Sequence, residues 1–274
     1  MAAVFRAAGF NAVWHPELIA STVLLGIVYL YVIGPLRDRF PGSTPVRTGQ
    51  AATFLTALAV VYIAQGSPLA LLSNEYLLSA HMVQMVLLYF VAAPLFIDGF
   101  PVWLFEALFR VAAIRAIVRY LTRPLRALGL FLFIFGVYLV PVLTEGALGN
   151  SWLYLLEHVL TEGAALALWW PLLSPLPEFR LADPTKLLYT FGVELGMTVP
   201  FALLTFASAP LYPTYAHAAR VLPMSALTDQ QVAGIIMRLG SMATLGVKLA
   251  QTFFRWAARE SAASWPRPQA GTRP

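Results

Sequence analysis

Residues 77–100 read LLSAHMVQMVLLYFVAAPLFIDGF. A stretch of roughly 20 mainly apolar residues is the length that crosses the hydrocarbon of a bilayer as a helix. The rest of the chain has the same texture. Of 274 residues, 59% are hydrophobic and only 11% are charged, with a mean hydropathy of +0.72. Soluble domains carry about a quarter charged residues, so too few charges are present to coat a water-soluble shell. The fold class that follows is all-α, a polytopic membrane protein.

Similar runs place seven spans near Glu17–Pro35, Ala51–Leu72, Leu77–Phe100, Ala127–Glu145, Trp152–Leu173, Leu187–Leu211 and Gln231–Trp256. They make one seven-helix transmembrane domain over residues 1–260, followed by a tail, 261–274, expected to be disordered. The first span lacks a positive n-region and a small-residue cleavage pattern, so it reads as a retained helix rather than a signal peptide. No internal repeat is visible.

Orientation follows from Lys and Arg. Arg37, Arg39 and Arg47 precede span two, and Arg110, Arg115, Arg119, Arg123 and Arg126 separate spans three and four. Arg180 and Lys186 precede span six, and Arg255, Arg259, Arg267 and Arg273 follow span seven. These fourteen of the 18 basic residues fall on one side, against Arg6 and Arg220 on the other. By the positive-inside rule the C-terminus is cytoplasmic and the N-terminus outside. Trp152 and Tyr154 then form an outer aromatic belt and Trp169 and Trp170 an inner one. Pro68, Pro94, Pro141 and Pro200 are expected to kink their spans.

Cysteine is absent, which removes disulfides and thiolate chemistry. Any metal must be held by His, Met, Asp or Glu. His81 and Met85 lie four residues apart, on one helical face. Thioethers are soft and select Cu(I), and imidazole also accepts copper, so the pair favours copper over zinc, magnesium or calcium. The alternative is a histidine bonded between helices beside a methionine that fills core space.

Depth gathers further donors. At about 1.5 Å per residue, His81 lies about 7 Å below Tyr76, His158 about 9 Å below Trp152 and Met237 about 12 Å below Asp229. All three helices enter from the outer face, so His81, Met85, His158 and Met237 are candidate ligands of one outer-leaflet metal site. Glu157 and Glu162 flank His158, and ionisable groups inside a span are functional hypotheses by default. A structural ion pair between Glu162 and Arg238 is the simpler account, with Glu194 the competing partner. Asp98 suits Lys248 or a neighbouring arginine. His15 and His217 are exposed histidines, the latter in a loop with Met224.

Three segments taken in order, SAHMVQM (79–85), ALWWP (167–171) and DQQVAGIIM (229–237), resemble the CtaG-type family of bacterial cytochrome c oxidase assembly factors. The family pattern has Gly-Gly where this chain has Ala233-Gly234. The resemblance implies a non-enzymatic role in the bacterial plasma membrane: binding copper on the extracytoplasmic side and delivering it during maturation of a haem-copper oxidase. It points to His81, Gln84, Met85, His158, Asp229 and Met237. The implied partners are terminal oxidase subunits, an extracytoplasmic copper chaperone and membrane lipid, with room for a homo-oligomer and none for nucleic acid.

The competing reading is a b-type haem with His81 and His158 as axial ligands. A retinal protein fits less well, since Lys248 lies about 28 Å along its helix from Asp229, near the inner surface. No phosphate-binding loop, dinucleotide fingerprint or nucleophile elbow supports catalysis of the soluble type.

Overall fold

The computed structural model describes residues 2–264, which are helical throughout apart from connecting turns and contain no strand. The chain enters through α1 (Ala2–Trp14) and α2 (Pro16–Ile33). His15 holds the junction at φ 41°, with Nδ1 and Glu17 Oε1 2.8 Å apart. Then come α3 (Thr48–Gly66), α4 (Pro68–Glu75) and α5 (Leu78–Gly99). A basic stretch carries α6 (Val102–Leu108) and α7 (Ala112–Leu121), which meets α8 (Pro124–Tyr138) at 77°. The last elements are α9 (Pro141–Leu148), α10 (Ser151–Leu173), α11 (Asp183–Thr205), α12 (Pro213–His217) and α13 (Ala226–Ser264).

Among the described residues five helices are long and apolar enough to cross a membrane: Val4–Ile33, Thr48–Gly66, Leu78–Gly99, Asp183–Thr205 and Ala226–Ser261. The bent pair α7 and α8 would make a sixth. Span two is shorter than the sequence suggested. Ser67 is extended ahead of Pro68, because the proline ring crowds the preceding residue out of helical geometry. Span four breaks in the same way at Val140 before Pro141. The fifth expected span exists as α10, 23 residues long, but Glu157, His158 and Glu162 make it less apolar than the others. Helix α13 runs 39 residues to Ser264, so the expected disordered tail begins helical at Ser261. The rest of it lies outside the described residues.

Helix α5 is the axis of the bundle, packed on α3, α10 and α13. It runs parallel to α13: Asp229 meets Leu78, Gly240 meets Val86 and Lys248 meets Asp98. At Gly240 a Cβ would come within 2.5 Å of Val86 Cγ1, so only glycine permits this approach. Large apolar side chains such as Val23, Leu24, Leu25 and Ile27 on α2 are half exposed or more. That arrangement suits lipid as the surrounding solvent.

Charge divides the bundle lengthwise. At one end Lys248 pairs with Asp98 at 3.2 Å, Arg115 and Arg119 share Glu178, and Lys186 and Arg259 share Asp183. The opposite end gathers Ser73, Tyr138, Glu145, Tyr215 and Asp229. The expected inner aromatic belt is not formed. Trp169 is fully buried and donates from Nε1 to the Tyr89 carbonyl at 2.8 Å, and Trp170 packs against Phe105, Phe109 and Phe179. Both rings serve the core because Ala164, Ala165 and Leu168 place that face of α10 inward.

Candidate functional site

The first turn of α5 starts from Leu77, which is extended and offers no side-chain cap. Asp229 supplies the cap from another helix, accepting from the backbone N–H of Leu78 at 2.8 Å and of Ser79 at 3.3 Å. A carboxylate there satisfies orphan donors and complements the helix dipole. The same contact sets the register of α13, which brings Met237 between the levels of Leu78 and Val86 on α5. Met82, Met85, Met197 and Met237 are all buried in one continuous core.

One turn into α5, His81 is 1% exposed and both ring nitrogens are engaged. Nδ1 lies 3.0 Å from Ser73 Oγ, and Nε2 meets the Tyr138 hydroxyl. Gln84 donates from Nε2 to the Ala64 carbonyl at 3.0 Å, leaving Oε1 to accept the Ser73 hydroxyl proton. Ser73 Oγ therefore accepts from Nδ1–H, and Nε2 carries the lone pair that takes the Tyr138 proton. Tyr215 steadies the group by donating to the Ser73 carbonyl at 2.7 Å.

His158, 5% exposed on α10, is arranged differently. Its Nδ1 faces the Tyr154 carbonyl at 2.9 Å. A carbonyl only accepts, so Nδ1 holds the proton and Nε2 the lone pair. That Nε2 is buried and has no hydrogen-bond partner, and neither has Oε1 of the adjacent Glu157. The Tyr154 and His158 rings pack 4.1 Å apart, and the Tyr154 hydroxyl is within reach of Asn74 and Gln84. Gln84 and Tyr154 thus join the surroundings of the two histidines. A cavity of about 300 Å³ opens beside them, lined by Tyr138, Glu157, Thr161 and apolar side chains of α8, α9 and α10.

Among the acids, Arg238 pairs with Glu194 at 2.8 Å and also donates to the Glu194 carbonyl at 2.7 Å. The pairing with Glu162 is not formed; Glu162 accepts instead from Gln65 Nε2 at 3.2 Å. His217 is exposed at the C-terminal end of α12. Among the described residues no three of His, Cys, Asp and Glu converge as a metal site, so any ion in this region would draw on the methionine sulfurs. Tyr138, Ser73 and Tyr215 escaped the reading of the sequence, and Tyr154, expected in the outer aromatic belt beside Trp152, instead packs its ring on His158. The one hint was a lone tyrosine just ahead of Pro141 in an otherwise apolar run.

A family described as cytochrome c oxidase caa3 assembly factor (Caa3_CtaG) matches residues 27–259, from within α2 to near the end of α13. No curated protein and no solved structure matches the chain.

Proposed function

The chain belongs to the cytochrome c oxidase caa3 assembly factor family, and from that membership we propose that it serves oxidase maturation by receiving copper as cargo in the buried cluster. The role is non-enzymatic. The observation that carries this reading is Nε2 of His158. A buried nitrogen without a partner costs about 1–3 kcal/mol, a cost that a metal bond offsets. Histidine ligands ordinarily donate the other ring N–H to a carbonyl or carboxylate, as Nδ1 of His158 does to Tyr154. Met85, Met237 and, once released from Tyr138, His81 complete a soft donor set suited to Cu(I).

In this proposal seven spans, counting α10, set the cluster at the outer face of a bacterial plasma membrane, with the basic end cytoplasmic. An extracytoplasmic copper chaperone supplies the ion and subunits of the oxidase receive it. Reporter fusions near the two termini read the orientation.

The deciding measurement is copper content of the full chain, purified in detergent and loaded with Cu(I) under reductant. The wild type is expected to hold about one ion per chain, and His158→Ala and Met85→Leu to hold far less with unchanged thermal unfolding. Met85→Leu keeps volume and apolarity, so packing alone predicts almost no change. Full copper in both variants, or an intense haem absorption band in the wild type, would refute the assignment.

A further inference from the structure

At the basic end a second polar site has no place in copper handling. Where α10, α11 and α13 come together with the end of α5, a cavity of about 260 Å³ is lined by Arg180, Lys186, Lys248, Arg255, Asp98 and Thr252, among others. Two of its four cations are answered: Lys248 by Asp98 at 3.2 Å and Lys186 by Asp183 at 3.0 Å. The other two are not. Arg180 uses only Nε, donating to the Ser174 carbonyl at 2.8 Å, and Arg255 uses only Nε, donating to the Gln251 carbonyl at 2.9 Å.

Among the described residues, then, two guanidinium groups line one concave polar space without a hydrogen bond or ion pair to a carboxylate: Asp98 in the same lining is taken by Lys248, and Asp183, whose charge reaches Arg255, is taken by Lys186 and Arg259. Thr252, 9% exposed, adds a hydroxyl that bonds to no other side chain or backbone group there. The spacing of donors on a guanidinium matches two oxygens of a phosphate, and arginine keeps its charge at any working pH. Leu172 and Leu173 form an apolar border on one side of the cavity, so the ligand can carry some hydrocarbon beside its charge.

We propose that this cavity binds a phosphate-bearing anion, held by Arg180 and Arg255 with Thr252 as a neutral donor. The phosphate could belong to a phospholipid headgroup at the membrane surface or to a small soluble phosphate. Either would tie the C-terminal half of α13 to α10 and α11.

Thermal unfolding of the full chain in detergent tests this, titrated separately with inorganic phosphate, short-chain phosphatidylglycerol and the matching diacylglycerol, which lacks phosphate. The wild type is expected to be stabilised saturably by a phosphate-bearing probe and left unmoved by diacylglycerol. Response to inorganic phosphate identifies a soluble ligand; response to phosphatidylglycerol alone identifies a lipid. The double variant Arg180→Gln with Arg255→Gln should raise the half-saturating concentration about tenfold or more, while Arg126→Gln, outside the cavity, should not change it. Should the double variant fail to fold, Thr252→Val keeps every charge and is expected to weaken binding several-fold. The proposal is overturned if neither phosphate probe stabilises the wild type, if diacylglycerol does as well, or if Arg126→Gln weakens binding as much as the cavity variants.

Discussion

The Tyr138 hydroxyl is bonded to Nε2 of His81, the one nitrogen of that imidazole with a lone pair to give. Tyr138 is also the last residue of α8, directly before the break at Leu139 and Val140. Access to His81 is therefore tied to the position of a helix end.

Tyr138→Phe removes the hydroxyl and keeps the ring. If the hydroxyl competes with an incoming ion, Cu(I) should bind about tenfold more tightly, the equivalent of one hydrogen bond of about 1.4 kcal/mol. The variant should also unfold at a lower temperature, since a buried acceptor loses its donor. A competition titration with a Cu(I) chelator measures the first effect. Unchanged or weaker binding would place copper away from His81.

Asp229→Asn leaves a neutral acceptor at the head of α5, and Asp229→Ala leaves none. The losses expected are below about 1 kcal/mol for the first and about 1–2 kcal/mol for the second. Ranking the two variants and the wild type by denaturant midpoint checks the order. Equal midpoints would mean that α5 holds its first turn without help from α13.

Arg238 and Glu194 are each about one-fifth exposed at the side chain. Removing one member leaves the other without its partner, whereas removing both leaves none. Glu194→Gln and Arg238→Met should each destabilise more than the double variant does. A double-mutant cycle by thermal unfolding gives the coupling, and additive losses would show that the pair is merely a surface contact.

Glu178 joins the turn Pro177–Phe179 to α7 through Arg115 and Arg119. The hydrogen bond from Arg115 holds its carboxyl below the ordinary glutamate range. Its folded value is depressed, so the contribution is full above the unfolded value and is lost as pH falls through the folded one. The turn should stay docked at neutral pH and loosen once the pH falls below the ordinary glutamate range. Spin-label mobility at a cysteine introduced into the turn can report this, because the chain has none of its own. In Glu178→Gln the turn should be mobile at both values; a docked turn there would assign the hold to the packing of Phe179 against Phe109 and Trp170.

The helical class and the Asp98 to Lys248 pair were legible from apolar run length and charge placement alone. Spans two and four were drawn too long because hydropathy does not register the backbone conformation that Pro68 and Pro141 impose on Ser67 and Val140. Glu194 displaced Glu162 as the partner of Arg238 since rise along a helix gives depth, not the direction a side chain faces. Trp169 and Trp170 were assigned to a lipid belt for the same reason. His81 and His158 were legible as candidates, being ionisable groups in apolar spans. The Tyr138 contact joins residues 57 apart in sequence, and the tautomers depend on which way the Ser73 hydroxyl and the Tyr154 carbonyl face the rings, which spacing along the chain does not give.

Leu87–Ala92 of α5 forms a π-helical segment ahead of Pro94. Proline has no N–H for the regular ladder, and a wide turn accommodates that gap by taking in one extra residue. Each residue of an α-helix advances the face by about 100°, so the halves of α5 stand out of phase with one another by about that angle. The phase slip widens the angle between the face that turns His81 and Gln84 toward α4 and α8 and the face that turns Asp98 toward α13. It also makes the two ends separately tunable: a residue deleted within 87–92 would swing one end off its partners even though every side chain at both ends remained in place.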